Sequence, residues 1–191
     1  SKVLLAALPN DGSVHLRCLE STHEMLLAQL REHKLDVILS DCPLDSTQHP
    51  DLLSKKLGEC GVSFFCQAPL PEKPFPECLM ERKLLIPAKR TAMGRQLTRW
   101  FDEQGLAPQI FGEFDDAALM KAFGLFNQGI FVAPTLYEEE FLDGQTVALL
   151  GQTDALKEEY YAIFAERMIQ HPAVKRLCES DFSALFAGLE Q

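Results

Sequence analysis

Residues 16–41, LRCLESTHEMLLAQLREHKLDVILSD, restrict the fold of this chain more than any other stretch. They open on an alternating strand pattern that ends at Leu19, and Glu20-Ser21-Thr22 follows as a helix start. Ser21 or Thr22 suits the cap position, because a hydroxyl there accepts a hydrogen bond from an amide that the helix leaves without a partner. Leu26, Leu27 and Leu30 recur at helical spacing, with Gln29, Arg31, Glu32 and Lys34 on the opposite side. The helix is expected to stop near His33 and Lys34, where cations suit the negative end of its dipole. Residues 35–39 are a nearly continuous apolar run closed by the turn Ser40-Asp41-Cys42-Pro43, which predicts a strand covered on both faces and therefore a parallel sheet. Strand, helix and strand make a βαβ unit, and open α/β sheets bind their ligands beyond the carboxyl ends of the strands. Glu20, Ser21 and Thr22 follow the first strand and Asp41 follows the second, so these residues are expected to share one rim.

The rest of the chain repeats this grammar. A short helix over 2–8 stops at the turn cluster Pro9-Asn10-Asp11-Gly12, and residues 60–66 form a further apolar strand. Pro69, Pro71, Pro74 and Pro76 then stiffen the chain and exclude a central strand, which places a crossing into a second lobe near Gln67. Strands are predicted at 84–86, 110–114, 130–133 and 146–150. Helices are predicted at 92–104, ended by Gly105, at 117–126, opened by Asp115-Asp116, and briefly from Pro134 to Tyr137. Residues 157–164 read as a long strand returning to the first lobe near Arg167, before a final helix from His171-Pro172 with Val174, Leu177 and Cys178 on one side. The pattern defines an α/β chain of two-lobed, periplasmic-binding-protein-like (type 2) fold, with βαβ units in each lobe and two crossover strands. Lobe I takes residues 1–66 plus 168–191 and lobe II takes 67–167, and a ligand is expected between lobes that can hinge.

Composition narrows the function. With 191 residues, 47% of them hydrophobic, the chain can bury a substantial core. Its 18 Lys and Arg against 28 Asp and Glu leave a net charge of -10, which repels phosphate backbones and argues against a free-standing nucleic-acid binder. It shows neither an apolar run long enough to span a membrane nor an export signal, so a cytoplasmic location is expected. Six cysteines without a C-x-x-C pair read as reduced structural thiols, a thiol sensor being the other reading. The five histidines lack metal-ligand spacing, so no metal centre and no cofactor are expected. Catalytic templates such as G-x-S-x-G, H-E-x-x-H and the P-loop are absent, so the chain is not expected to be an enzyme.

Position in the fold selects the candidate site. Ser21 and Thr22 cap their helix and stand where amides and hydroxyls converge on a polar or anionic guest. Asp41 either binds a cation or ligand hydroxyl or simply ends its strand. Thr91, Asp115 and Asp116 precede helices of the second lobe, where they either cap or bind. Phe131, Val132 and Ala133 are expected to form an apolar wall at a strand end, with packing as their favoured role. The predicted helix 117–126 carries Leu119, Met120, Ala122, Phe123 and Phe126, more apolar positions than one stripe needs.

The run from E-S-T into a helix and then L-D-V-I-L-S-D resembles the effector-binding domain of LysR-type transcriptional regulators. The resemblance extends through HLRCLESTHEML, HKLDVILSDCPLDSTQ, GECGVSFFC, GEFDDAALMKAFG, IFVAPTLY and YAIFAERMIQHPAV, over nearly the whole chain. The family form has a glycine before the capping serine and another ahead of the L-D pair, whereas this chain has Glu20 and His33-Lys34. Within the family, the likeness is to activators of sodium/proton antiporter genes. It implies a sodium response with Asp41, Asp115 and Asp116 as candidate oxygen ligands, since hard cations prefer carboxylate, carbonyl and hydroxyl oxygens. It further implies a homodimer or tetramer, paired through residues such as Leu4, Leu8, Leu16, Met120 and Phe123. Promoter DNA would be bound by an N-terminal winged helix-turn-helix that is not in this chain, as is the first strand of lobe I, and RNA polymerase would be a partner of the full-length regulator. The rival readings are a transporter's solute-binding protein of the same fold and an enzyme of that fold.

Overall fold

The computed structural model describes residues 2–8, 14–143 and 147–187. The turn cluster expected at 9–12 and Thr146 lie outside the described residues. The chain divides into two compact units, Ser1–Glu59 with Glu159–Gln191, and Cys60–Glu158. Both handovers fall inside long strands, ahead of the crossings expected near Gln67 and Arg167.

The first unit begins with α1 (Lys2–Ala7), α2 (His23–Arg31), β1 (Ile38–Ser40) and the start of β2 (Leu52–Gln67). Thr22 takes the cap of α2, its side chain accepting from the Met25 amide at 3.4 Å, and His33 leaves the helix in the left-handed conformation with φ of 61°. The predicted stripe is the buried one. Leu27 and Leu30 join Val3, Ile38, Ile163, Val174 and Leu177 in one apolar cluster. The strand expected over 35–39 pairs only at Ile38–Ser40, and it runs antiparallel to β6 (Val147–Ala165), with Ile38 opposite Ile163. The parallel partner expected for it is therefore replaced by a strand returning from the other unit. No strand forms over 14–22, where Leu16 and Leu19 are exposed. Alternation states which face a strand would bury, but a strand also needs a neighbour for its amides and carbonyls. Among the described residues, none pairs with this segment.

Lys56 on β2 binds Glu159 on β6 at 2.6 Å and also Glu59, and these carboxylates raise the ammonium above its ordinary proton affinity. The unit closes with α6 (Pro172–Glu179) and with α7 (Ser183–Ala187), a helix the sequence reading missed. The start of α7 is held by Asp181, which accepts from the Ser183 amide at 2.9 Å, beside the buried Phe182.

In the second unit, β3 (Leu84–Pro87), α3 (Ala92–Gln104), β4 (Ile110–Phe114), α4 (Ala117–Leu125), β5 (Ile130–Pro134) and α5 (Glu138–Leu142) follow in order. β3 is parallel to both β4 and β5, and β5 is antiparallel to β2, so the sheet is mixed. Thr91 caps α3 and Gly105 ends it with φ of 65°, a conformation that costs glycine nothing. Phe64, Phe131, Leu97 and the single tryptophan, Trp100, belong to one core, with Trp100 stacked on Phe64 at 5.7 Å. The two strands expected at 146–150 and 157–164 are one strand, β6. Gly151 lies within it, its bare backbone against Phe75, where a Cβ would come within 2.3 Å of the ring.

Arg82 ties down the proline-rich segment. Its guanidinium donates to the carbonyls of Gln67 at 2.6 Å and Pro69 at 2.9 Å, and to Asn127 Oδ1 at 2.5 Å. Hydrogen bonds from a charged donor contribute about 1.5–3 kcal/mol each when partly shielded, less when exposed. Arg82→Met is therefore expected to destabilise the second unit by about 2 kcal/mol. Urea unfolding followed by Trp100 fluorescence checks this, and a loss too small to measure would mean that water replaces the guanidinium without cost.

Candidate functional site

The start of α2 meets the end of β1 through His23 and Ser40. Ser21 and Thr22 lead into α2, and Asp41 follows β1. Thr22 Oγ1 is occupied by its cap and Ser21 Oγ donates to Met25 Sδ at 3.6 Å, while Asp41 is exposed and has no ion-pair partner among the described residues. The loop that follows is set by Asp45, whose carboxylate accepts from the Thr47 amide at 3.0 Å and from Gln48 Nε2 at 2.8 Å. Hydrogen bonds from Thr47 hold that carboxyl below the usual carboxylate range.

Three further groups, missed as a set, come together at this junction. Ser40 Oγ lies 3.2 Å from His23 Nδ1 and 3.4 Å from Cys42 Sγ, and the thiol is 3.7 Å from the same imidazole nitrogen. The Cys42 amide donates back to Ser40 Oγ at 3.2 Å. The signal was positional: His23 opens α2 and Cys42 follows β1, the two places from which Ser21, Thr22 and Asp41 were selected.

The second unit's candidates are already engaged. Thr91 Oγ1 accepts from the Gly94 amide at 3.0 Å and donates to the Ala88 carbonyl at 2.8 Å. Asp115 pairs with Arg90, and Asp116 caps α4 by accepting from the amides of Ala118 at 2.8 Å and Leu119 at 3.2 Å. Phe131 and Val132 are in the core, and Ala133 is buried opposite Ser63. Phe131 stacks on Phe65 at 5.4 Å and meets Phe141 at 5.5 Å. Of the residues expected at a dimer interface, Met120 is buried in its own core, whereas Phe123 is exposed and packs edge-on to Phe114. Phe126, the residue that follows α4, is 78% exposed.

A pocket of about 730 Å³ lies in the first unit. Its walls include Leu4 and Leu8, Val14, Leu16 and Leu19, Leu35 and Val37, and Val174 and Leu177 of α6. His15, Arg17, Lys34, Asp36 and His171 supply its polar lining. Leu4, Leu8 and Leu16 are thus pocket walls, and Ser21, Thr22 and Asp41 do not line it.

The fold and the sequence together define a class. The family model described as LysR substrate binding domain matches residues 4–180, and the chain belongs to that family. The chain is 62% identical over 187 residues to the transcriptional activator protein NhaR of Escherichia coli (strain K12), covering 98% of this chain and 62% of the relative's length. Among solved structures, the apo regulatory domain of HypT from Salmonella typhimurium aligns with a TM-score of 0.68 at 20% identity, over 98% of this chain and 89% of that one. Vibrio fischeri DarR in complex with DNA aligns with a TM-score of 0.71 at 22% identity, over 93% of this chain and 62% of that one. These likenesses establish the two-unit, type 2 periplasmic-binding-protein-like fold. No helix among the described residues is long and apolar enough to cross a membrane.

Proposed function

We propose that this chain is the effector-sensing domain of a cytoplasmic LysR-type activator similar to NhaR, acting in sodium-responsive control of a sodium/proton antiporter gene. The observation that carries the reading is the 62% identity that runs along 98% of the chain. Such a domain senses without catalysis. An effector shifts the regulator toward one state only by its difference in affinity for the two states. The full regulator would bind promoter DNA through a domain outside this chain, act on RNA polymerase there, and assemble as a homodimer or tetramer. The exposed Phe123 and Phe126 support an assembly surface on α4. The pocket beside the residues leading into the edge strand β1 supports a further strand of the regulator lying there, since an open sheet edge is a template for strand addition.

Of the three acids weighed as sodium ligands, Asp41 has its oxygens most available, because Asp115 faces a guanidinium and Asp116 caps a helix. Sodium binding at this rim is expected to move the amide resonances of Ser21, Thr22 and Asp41 when NaCl is added, and not when KCl replaces it at equal ionic strength. Asp41→Asn should abolish the difference between the two salts. Identical responses to both salts would reject direct sodium sensing while leaving the family assignment intact.

A further inference from the structure

We propose that Cys42 is a peroxide-reactive thiol, with His23 as its proton acceptor and Ser40 bridging the two. Three observations converge on it. First, Cys42 Sγ and Ser40 Oγ approach the same imidazole nitrogen, at 3.7 Å and 3.2 Å, so a base stands within reach of the sulfur. Thiol reactivity follows thiolate formation, and an adjacent imidazole favours it. Second, Cys42 and His23 are both partly open to solvent, at the end of β1 and the start of α2, so a small oxidant can reach the sulfur. Third, the other thiols sit in different surroundings. Cys60, Cys66 and Cys78 are buried, and burial pushes Cys66, Cys78 and Cys178 above the ordinary thiol range. Cys18 is exposed, and no hydrogen bond from its thiol to an imidazole is found among the described residues.

The chemistry balances with hydrogen peroxide as the co-reactant. The Cys42 thiol passes its proton to His23 Nδ1, and the thiolate attacks one peroxide oxygen. The S–O bond forms as the O–O bond breaks, and the departing hydroxide takes the proton from His23 and leaves as water. Cysteine is oxidised by two electrons to the sulfenic acid while the peroxide is reduced. The product places a new polar oxygen beside His23 and Ser40, where the start of α2 meets the end of β1. Reactivity itself does not depend on which effector that is.

The test is to expose the protein to hydrogen peroxide with dimedone present and to quantify the adduct at each cysteine by peptide mass spectrometry. Cys42 should be labelled at least about tenfold faster than Cys18, with little adduct on Cys60, Cys66 and Cys78. His23→Gln should slow Cys42 by about tenfold and leave Cys18 unchanged. Equal rates at Cys42 and Cys18 in the unsubstituted protein would overturn the assignment without reference to any variant. So would a folded His23→Gln protein whose Cys42 reacts at the original rate. Amide shifts with NaCl are read separately, so failure here is distinguishable from failure of the effector reading.

Discussion

Replacing Phe131 by alanine is expected to remove about 3–5 kcal/mol of stability, the usual loss when a buried aromatic ring becomes a cavity. Phe131 has no solvent exposure and packs against the rings of Phe65 and Phe141, which also meet each other, while its edge meets the bare backbone of Gly124 on α4. The last contact supplies an internal control. Gly→Ala inside a helix ordinarily gains about 0.8–1 kcal/mol. At position 124 the new Cβ would stand 2.1 Å from Phe131 Cδ1, and this ring is enclosed on its other sides. Gly124→Ala should therefore cost about 1–3 kcal/mol, as overpacked cores do. In the Phe131→Ala background the clash is gone, and the same substitution should turn stabilising. A double-mutant cycle in urea isolates that coupling. Additivity between the two sites would show that the ring moves aside freely.

Gly94→Ala is expected to cost about 3 kcal/mol, the upper end of ordinary overpacking, because its Cβ would meet backbone that cannot step aside. The added carbon would lie 2.2 Å from the Ala88 carbonyl oxygen and 2.7 Å from that of Pro87, at the junction of β3 and α3. Thr91→Ala, which removes the cap accepting from the Gly94 amide, should cost only about 1 kcal/mol. Trp100 is on α3 and is buried, so its fluorescence reports unfolding of this unit directly. A Gly94→Ala protein within about 0.5 kcal/mol of the parent would mean that the β3–α3 junction is far softer than its close approach implies.

The caps and periods of this chain were readable because they are local. Thr22 before α2, Thr91 before α3, Asp116 before α4 and Gly105 after α3 each act within one helical turn, and each does what its residue type predicts. The positions of Ser21 and Thr22 before α2 and of Asp41 after β1 were legible for a related reason: they follow from where a helix begins and a strand ends. Long-range pairing was not. The alternation at 16–19 predicted a strand, yet among the described residues no neighbour pairs with it, and residues 147–150 and 157–164, read as two strands, belong to the single strand β6. Phe131 and Val132, for which packing was the favoured role at their strand end, are core.

By itself, then, the sequence determined most of the helices, their caps, the α/β class and the family, since all of these are written in spacings of a few residues or in long identity. Only the tertiary structure decided which strands pair, which acids are already neutralised, and that His23, Ser40 and Cys42 meet. Those three are separated by up to 19 positions, and their contact depends on how α2 packs against the end of β1. Hydrogen bonds and ion pairs act over a few ångströms of space, so a chemical site made from distant positions becomes visible only once the chain has folded.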